Sequence, residues 1–207
     1  MKIALIGASG HVGSRLLKEL ARRGHAVTAI ARNPDKIAPA PGVTAVASDA
    51  KNPAALSKIL VGHDAVIRAV HFLALDAETL LAAVTASGVK RLLVVGGAGS
   101  LLVAPGKTLI EAPDFPAIYK AEAQAGCDFL DVLKAGSHGA DTLDWTFLSP
   151  SAEIAPGART GKFRLGGDQL LIDAAGKSHI STEDFAVALI DELERPAHSR
   201  RRFTVGY

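Results

Sequence analysis

The sequence predicts an α/β fold in which helices flank a doubly wound parallel sheet, with a small lobe formed by the C-terminal residues. Short apolar runs alternate with amphipathic stretches from residue 2 onward, as expected for strands followed by helices. A glycine-rich turn follows the first apolar run directly. The composition is 48% hydrophobic but only 5% aromatic, with 20 glycines, which is typical of parallel strands buried on both faces. Strands that alternate with helices indicate parallel crossover connections.

The first strand and helix are predicted at the N-terminus. Lys2–Ile6 is an apolar run that suits a buried strand. Val12–Arg23 carries apolar residues at helical spacing and ends in two arginines, whose charge favours the last turn of a helix. Gly24 follows as a helix-terminating residue.

The same pattern continues through the next 125 or so residues. Further strands are predicted at Ala26–Ala31, Val43–Ala47, Ala65–Val70, Arg91–Val95 and Trp145–Leu148. Helices are predicted near Pro53–Leu60, Asp76–Ser87 and Ala117–Lys134.

The pattern changes after the sixth of these strands. Glu153–Ser178 is rich in glycine and predicts loops with one or two short strands. Thr182–Glu194 predicts a last helix, for which Ser181 is a suitable N-cap. Residues 201–207, RRFTVGY, predict a closing strand.

The length favours a single domain. The 207 residues suit one α/β domain, 1–207, within which 151–207 is expected to form a small substrate-side lobe. That lobe should lie over the carboxyl ends of the strands, where open α/β sheets bind their ligands.

Charge and cysteine content exclude several classes of function. A net charge of +2 is too small to indicate nucleic-acid or membrane binding, and no apolar run approaches the ~18 residues of a membrane span. Cys127 is the single cysteine, which fits a reducing compartment. The apolar part of the N-terminus is too short for a signal peptide. We therefore expect a soluble, cytoplasmic monomer or homodimer whose partner is a small molecule.

The turn after the first strand has the spacing G-x-x-G-x-x-G, at Gly7, Gly10 and Gly13. A strand before it and a helix after it give the context of a dinucleotide-binding turn. Gly7 would allow the tight turn, Gly10 the approach of a pyrophosphate, and Gly13 close helix packing. The helix N-terminus would then offer free N–H groups to phosphate. The alternative is a purely structural turn.

Arg32 ends the second strand, 19 residues after Gly13. An acidic residue at this place would bind the ribose 2′-OH of NAD and repel a 2′-phosphate. Arginine supplies paired donors and a permanent charge that suit a phosphate. The sequence thus predicts NADP(H) as the cofactor, with a solvated surface arginine as the alternative. Asn33 and Lys36 could assist or could be plain loop residues.

With these residues placed, the chain resembles the atypical short-chain dehydrogenase/reductase superfamily. It is most similar to the NmrA-like, NADH-flavin reductase-like branch that includes biliverdin reductase B. The resemblance covers the whole length and implies a Rossmann-type fold. It rests on the segments GASGHVG, IARNP, DAVIRAV, LLVVGGAGS, LDWTFLSPS and HISTEDFAVALIDELERP.

The resemblance implies cofactor contacts at the end of each strand. Residues implied for the pyrophosphate are Gly7, Ser9, Gly10, His11 and Val12. Arg32 is implied for the 2′-phosphate, and Asp49 and Ala50 for the adenine. Ala69 and Val70 are implied for the ribose, and Pro150 and Ser151 for the nicotinamide. Without the resemblance, Asp49 would be interpreted as a cap for the helix that starts at Pro53.

The catalytic residues are less well defined, because the usual Tyr-x-x-x-Lys pair is absent. Tyr119 is followed at once by Lys120, and its fourth position is Ala123, so the lysine cannot share the tyrosine's helix face. Tyr119 is a candidate acid or a substrate-lining residue. Ser100 is the better polar candidate, to bind substrate or carboxamide, unless it only ends the fifth strand. His71 could face the nicotinamide pocket or be a surface histidine.

These observations predict an NADPH-dependent oxidoreductase that passes hydride to a small planar acceptor, flavin-like or quinone-like, in a site roofed by Glu153–Gly176. The acceptor class comes from the resemblance. Two alternatives remain open: a non-catalytic NADP(H)-binding redox sensor of the NmrA type, and an epimerase or isomerase that uses NAD(P). No metal site is expected, because the seven histidines show no pairing at metal-ligand spacing.

Overall fold

The structure, a computed structural model, describes residues 1–207 and contains twelve β-strands and five α-helices. The strands are β1 (Lys2–Ile6), β2 (Ala26–Ala31), β3 (Val43–Ala47), β4 (Ala65–Arg68), β5 (Arg91–Val95), β6 (Leu102–Ala104), β7 (Lys107–Thr108), β8 (Asp144–Ser149), β9 (Glu153–Ala155), β10 (Arg164–Gly166), β11 (His179–Ser181) and β12 (Arg201–Gly206). The helices are α1 (His11–Arg22), α2 (Pro53–Leu60), α3 (Ala77–Ser87), α4 (Ala117–Lys134) and α5 (Thr182–Glu194). No helix combines the length and apolarity that crossing a membrane requires.

Eight strands form the central sheet, in the order β10-β12-β8-β5-β4-β1-β2-β3. All neighbours pair in parallel except the edge strand β10, which runs antiparallel to β12. The chain winds from β1 through β2 to β3 and then returns to place β4 on the other side of β1. This reversal confirms the predicted doubly wound, Rossmann-type sheet and puts its topological switch point between β1 and β4.

Two apolar cores lie on opposite faces of the sheet. On one face, α1 and α5 pack through side chains such as Leu16, Leu20 and Phe185. On the other face, α2, α3 and α4 pack through side chains such as Leu80 and Phe129. Because both faces are covered, the central strands are mainly apolar on both faces, and Arg68 on β4 and Arg91 on β5 are buried exceptions.

Most element boundaries agree with the sequence prediction. β4 is the main exception among the strands, since it ends at Arg68 and leaves Ala69 and Val70 in the following turn. Ser181 caps α5 as expected, its hydroxyl accepting the N–H of Asp184 at 3.0 Å. The short β6–β7 hairpin was not predicted.

The C-terminal region is divided between the body of the fold and the ligand side. β12 lies within the central sheet, between β8 and β10, and α5 packs against α1. The loop at Thr160 and Gly161 is attached to α5, because both backbone N–H groups donate to Asp184 at 2.8 Å. Between Ser151 and Ser181 only the edge strand β10 joins the central sheet, and the substrate-side lobe of residues 151–207 stays a prediction.

Candidate functional site

A cavity of about 1200 Å³ opens at the carboxyl ends of β1, β2, β4 and β5, at the switch point of the sheet. Sites for a single small molecule are usually ~300–1,000 Å³, so this space can hold a dinucleotide and a second molecule together. A shallower cavity of about 250 Å³ between α5 and β12 shares no residue with it. The large cavity is the candidate site.

The glycine turn forms one wall of this cavity, and two of its glycines are required by the backbone itself. Gly7 has φ +88°, and a Cβ there would lie 2.3 Å from the carbonyl oxygen of Ala69. A Cβ on Gly13 would lie 2.0 Å from the carbonyl oxygen of Gly7. The predicted tight turn and close helix packing are therefore confirmed.

Gly10 differs from the other two glycines because the protein leaves it more room. A Cβ on Gly10 would have the Gly7 carbonyl oxygen as its nearest neighbour, at 3.2 Å. Gly10 is the N-cap of α1 and offers no side chain to the helix, and the first turn contains no acidic residue. The first N–H groups and the positive end of the helix dipole therefore remain available to an anion. A pyrophosphate fits this cradle.

Arg32 lies at the other end of the cavity wall, directly after β2. Its side chain is exposed, lines the cavity and takes part in no ion pair or side-chain hydrogen bond within the protein. Lys51 lines the same part of the cavity, whereas Lys36 does not. Two cations therefore face the place where a 2′-phosphate is expected.

Asp49 also lines this end of the cavity. Its carboxylate accepts the backbone N–H of Lys51 at 3.0 Å. The cap of α2 is Asn52, which accepts the N–H of Ala55 at 3.0 Å. The alternative interpretation of Asp49 as the helix cap was wrong.

The structure places all twelve predicted cofactor residues along this one cavity. They are Gly7, Ser9, Gly10, His11, Val12, Arg32, Asp49, Ala50, Ala69, Val70, Pro150 and Ser151. Ser151 is almost completely buried, and its hydroxyl donates to the carbonyl oxygen of Val205 at 3.0 Å. Ser151 thereby ties the end of β8 to β12, and contact of these residues with a cofactor remains a prediction.

Ser100 does not reach the cavity, contrary to the sequence prediction. β5 ends at Val95, and the cavity is lined by Gly96–Gly99, so Ser100 lies beyond its wall. The Ser100 hydroxyl instead accepts a hydrogen bond from Arg202 at 3.4 Å. Arg202 is itself held by Asp168, with an Nε-to-carboxylate distance of 2.7 Å. Ser100 belongs to a polar contact between the β5 loop and β12.

The roof of the cavity also differs from the prediction. Of the expected segment Glu153–Gly176, only Glu153 and Ile154 line the space. The other side of the roof is the start of α4 and the loop before it. Its lining residues are Leu109, Asp114, Phe115, Pro116, Tyr119, Glu122 and Ala123.

Tyr119 lines the cavity with 62% of its surface exposed, and its hydroxyl has no hydrogen-bond partner in the protein. Lys120 does not line it. The expected separation of this lysine from the tyrosine's helix face therefore agrees with the structure. Tyr119 forms part of the substrate-side wall.

Glu122 contacts His71 and the two residues that follow it, a cluster that the sequence did not predict. Its carboxylate accepts the backbone N–H of Phe72 at 2.6 Å and that of Leu73 at 3.1 Å. The same carboxylate lies 3.3 Å from Nδ1 of His71. The His71 and Glu122 side chains both line the cavity, so His71 is both exposed and part of the site.

Arg68 supports the loop that carries His71. It is fully buried, its guanidinium lies 4.1 Å from the centre of the Phe72 ring, and Nη2 donates to the carbonyl oxygen of Leu75 at 2.9 Å. Burial lowers the pKa of Arg68 to about 9, which leaves it charged at neutral pH. Its Nε and Nη1 have no partner in the protein. A buried cation thus lies behind the loop.

Several solved structures are similar to this chain over its full length. A protein from Burkholderia pseudomallei described as a "putative exported protein" is 44% identical, with a TM-score of 0.89 and 100% of both chains covered. A "putative epimerase" from Bacteroides thetaiotaomicron is 41% identical, with a TM-score of 0.92, covering 100% of this chain and 96% of its own. A "putative NADH-flavin reductase" from Streptococcus pneumoniae is 33% identical, with a TM-score of 0.85, covering 100% of this chain and 99% of its own.

A sequence model of the family described as "NAD(P)H-binding" matches residues 7–196. The match begins at Gly7, the first residue of the cradle, and continues through α5. It therefore includes the switch-point cavity and both layers of helices. The chain belongs to the NAD(P)H-binding family, as an NmrA-like member of the atypical short-chain dehydrogenases/reductases.

Proposed function

We propose that the protein is an NADPH-dependent oxidoreductase that passes hydride to a small planar acceptor of the flavin or quinone type. The observation that carries this proposal is the large cavity at the switch point, which joins a glycine turn suited to an anion to an unpaired arginine and a roof that contains aromatic and apolar side chains.

In this proposal the protein holds the dinucleotide through the glycine turn. The N–H groups at the start of α1 bind the pyrophosphate, and Gly10 leaves space for it. Arg32, assisted by Lys51, binds the 2′-phosphate. The bound nicotinamide supplies the hydride, and the protein supplies orientation and exclusion of water.

The acceptor is proposed to lie between the ends of β4 and β8 and the start of α4. Phe115, Pro116 and Tyr119 line this part of the roof, and Ile154 lines the facing side. Flat apolar and aromatic surfaces suit a planar ring system. The pneumococcal relative is described as a "putative NADH-flavin reductase", and this description supports a flavin-like ring.

Steady-state oxidation of NADPH by purified protein tests this function. The disappearance of NADPH absorbance would be followed with FMN, riboflavin and a small quinone as separate acceptors, and NADH would be compared with NADPH. We expect turnover with at least one acceptor and a preference for NADPH.

Two other results would give different functions. If the protein binds NADP(H) tightly but oxidises none of it with any acceptor, its function would be that of a redox-sensing binding protein and not of an enzyme. The Bacteroides relative is described as an epimerase, and NADP that stays bound through purification and is never consumed would favour that class.

A further inference from the structure

We propose that His71 donates the proton that completes reduction of the acceptor, and that Glu122 positions it. This inference rests on the proposed oxidoreductase function and deepens it, because it selects acceptors whose oxygen needs a proton. Quinones and conjugated carbonyl compounds are such acceptors, and flavins depend on it less.

One nitrogen of the His71 imidazole lies close to a carboxylate, and the other has no partner. Nδ1 lies 3.3 Å from Oε1 of Glu122, and Nε2 has no partner in the protein. The side chain is 86% exposed and lines the cavity next to the end of β4. A carboxylate beside one ring nitrogen of a histidine favours the arrangement that leaves the other nitrogen for proton transfer.

Glu122 is fixed more firmly than a surface carboxylate. Two backbone N–H groups of the His71 loop, those of Phe72 and Leu73, donate to its oxygens. Arg68 places a buried positive charge behind the same loop, and its charge is felt by both Glu122 and Asp76. The loop, and with it His71, is thereby held against α4.

Glu122 also lies on the face of α4 that lines the cavity. Tyr119 and Glu122 are three residues apart on the helix and both line the cavity, as neighbours on one helix face do. The position four residues after Tyr119 is Ala123, which cannot donate a proton. The charged group that α4 offers to the site is therefore the carboxylate that holds His71.

The proton balance of the reaction is simple. Hydride transfer gives the acceptor two electrons and one hydrogen nucleus and leaves negative charge on its oxygen. Protonated His71 passes its Nε2 proton to that oxygen, so an O–H bond forms as the N–H bond breaks. The neutral imidazole then takes a proton from water through its exposed edge. The sum consumes one NADPH, one acceptor and one proton.

The test compares His71→Asn and Glu122→Gln with the unchanged protein and with a control, His138→Asn. His138 is exposed, lies outside the cavity and has φ +53°, a conformation that asparagine tolerates. Turnover with a quinone and with FMN would be measured beside NADP⁺ affinity by calorimetry.

We expect His71→Asn to lower kcat for the quinone by roughly 10²-fold or more, the usual range of general acid catalysis, and to lower kcat for FMN much less. Glu122→Gln keeps a hydrogen-bond acceptor and should give a smaller loss in kcat than His71→Asn, with little change in KM. NADP⁺ affinity should stay the same in both variants, and His138→Asn should behave as the unchanged protein.

A readout that does not depend on turnover is acylation of histidine by diethylpyrocarbonate, mapped by peptide mass spectrometry. His71 should react in the free protein and be protected when NADP⁺ and a quinone are bound together, whereas His138 should react in both states. Equal quinone kcat in His71→Asn and the unchanged protein, or no protection of His71, would overturn this proposal alone. Absence of any NADPH oxidation by the unchanged protein would overturn the proposed function with it.

Discussion

At the residue scale, Arg32 is the side chain on which the choice of dinucleotide depends. A charge-assisted hydrogen bond contributes roughly 1.5–3 kcal/mol, and about 1.4 kcal/mol corresponds to tenfold in affinity. NADPH should therefore bind at least about tenfold more tightly than NADH. Arg32→Ala should remove most of this preference and leave NADH binding nearly unchanged, as measured by calorimetric titration.

Lys36→Ala is the matched control for Arg32→Ala. It also removes an exposed cation from the loop after β2, but Lys36 does not line the cavity. Its affinities for both dinucleotides should equal those of the unchanged protein. Equal affinity of the unchanged protein for NADH and NADPH would exclude the proposed role of Arg32.

Gly10 is a position at which a substitution should prevent ligand binding without unfolding the protein. Gly10→Val should abolish binding of both dinucleotides, because the side chain would fill the space that a pyrophosphate needs, while the tight contact with the Gly7 carbonyl requires only a small local shift. Circular dichroism would report the fold and calorimetry the binding. Gly167→Val is the control, because a Cβ at Gly167 meets no atom within 4 Å. Its fold and its dinucleotide binding should both be unchanged. A folded Gly10→Val protein that still binds NADP⁺ would make the turn purely structural.

Tyr119 is a lining residue in this structure, without the lysine that would make it a strong acid. Tyr119→Phe should therefore change kcat by less than about tenfold, whereas loss of a general acid costs roughly 10²–10⁴-fold. The comparison needs only steady-state rates with one quinone at saturating NADPH. A loss of about 10³-fold would return the acid role to Tyr119.

At the element scale, Glu19 connects α1 to the loop before β10. It is 4% exposed and accepts hydrogen bonds from Arg22, Arg23 and Arg159 at 2.7–3.0 Å. Burial alone would raise the pKa of Glu19, but the three arginines outweigh it and hold that pKa well below its usual value of 4.5. The ionised form is thus favoured by folding.

The direction of this pKa shift predicts how stability depends on pH. A carboxyl group whose pKa is lower in the folded state stabilises the protein above its unfolded-state pKa, and that contribution is lost as pH falls toward the folded-state pKa. Glu19→Gln should lower the free energy of unfolding at pH 7 by about 1–3 kcal/mol, since partly exposed arginines lose a charged acceptor. Urea unfolding should show the difference from the unchanged protein shrinking as pH falls below 4.5. A constant difference across pH would exclude a charge effect.

Local patterns were sufficient to predict the long elements. The bounds of α2, α4 and α5 follow from complete helical periods and from capping residues such as Ser181. The β6–β7 hairpin has strands of three and two residues, too short to show a period. Short elements that depend on tertiary pairing leave no such pattern.

The parts of the site that the sequence did not predict depend on contacts between segments that are far apart in the chain. Glu122 and Phe72 are 50 residues apart in the chain, so no spacing rule joins them. Ser100 lies behind the cavity wall, where its hydroxyl contacts Arg202, 102 residues later. The cofactor residues were predictable because the ends of parallel strands meet at one edge whatever their separation in sequence.

At the scale of the whole molecule, residues 151–207 and the rest of the chain share the central sheet and the apolar core on one of its faces. β12 pairs with β8, and Phe185 and Phe203 belong to the same buried cluster as Leu5 and Leu16. The buried carboxylate of Glu192 on α5 also lies 3.1 Å from the guanidinium of Arg91 on β5. Unfolding α5 alone would remove the buried partner of this arginine and leave it only the more exposed carboxylate of Asp144 at 3.3 Å, and losing one partner of a buried ion pair is costly.

We therefore expect the C-terminal elements to open only with the whole protein. Native-state hydrogen exchange should give the slowest amides of β12 and α5 the same free energy of opening as those of β1 and β4. NADP⁺ at about 100 times its Kd should raise all of these values together, by roughly 2.7 kcal/mol, because it binds only the folded cavity. A lower opening free energy confined to α5 and β12, unchanged by NADP⁺, would instead show a lobe that unfolds on its own. Shared protection follows from this packing, since removing β12 would expose one side of β8, and removing α5 would uncover the side of α1 against which it packs.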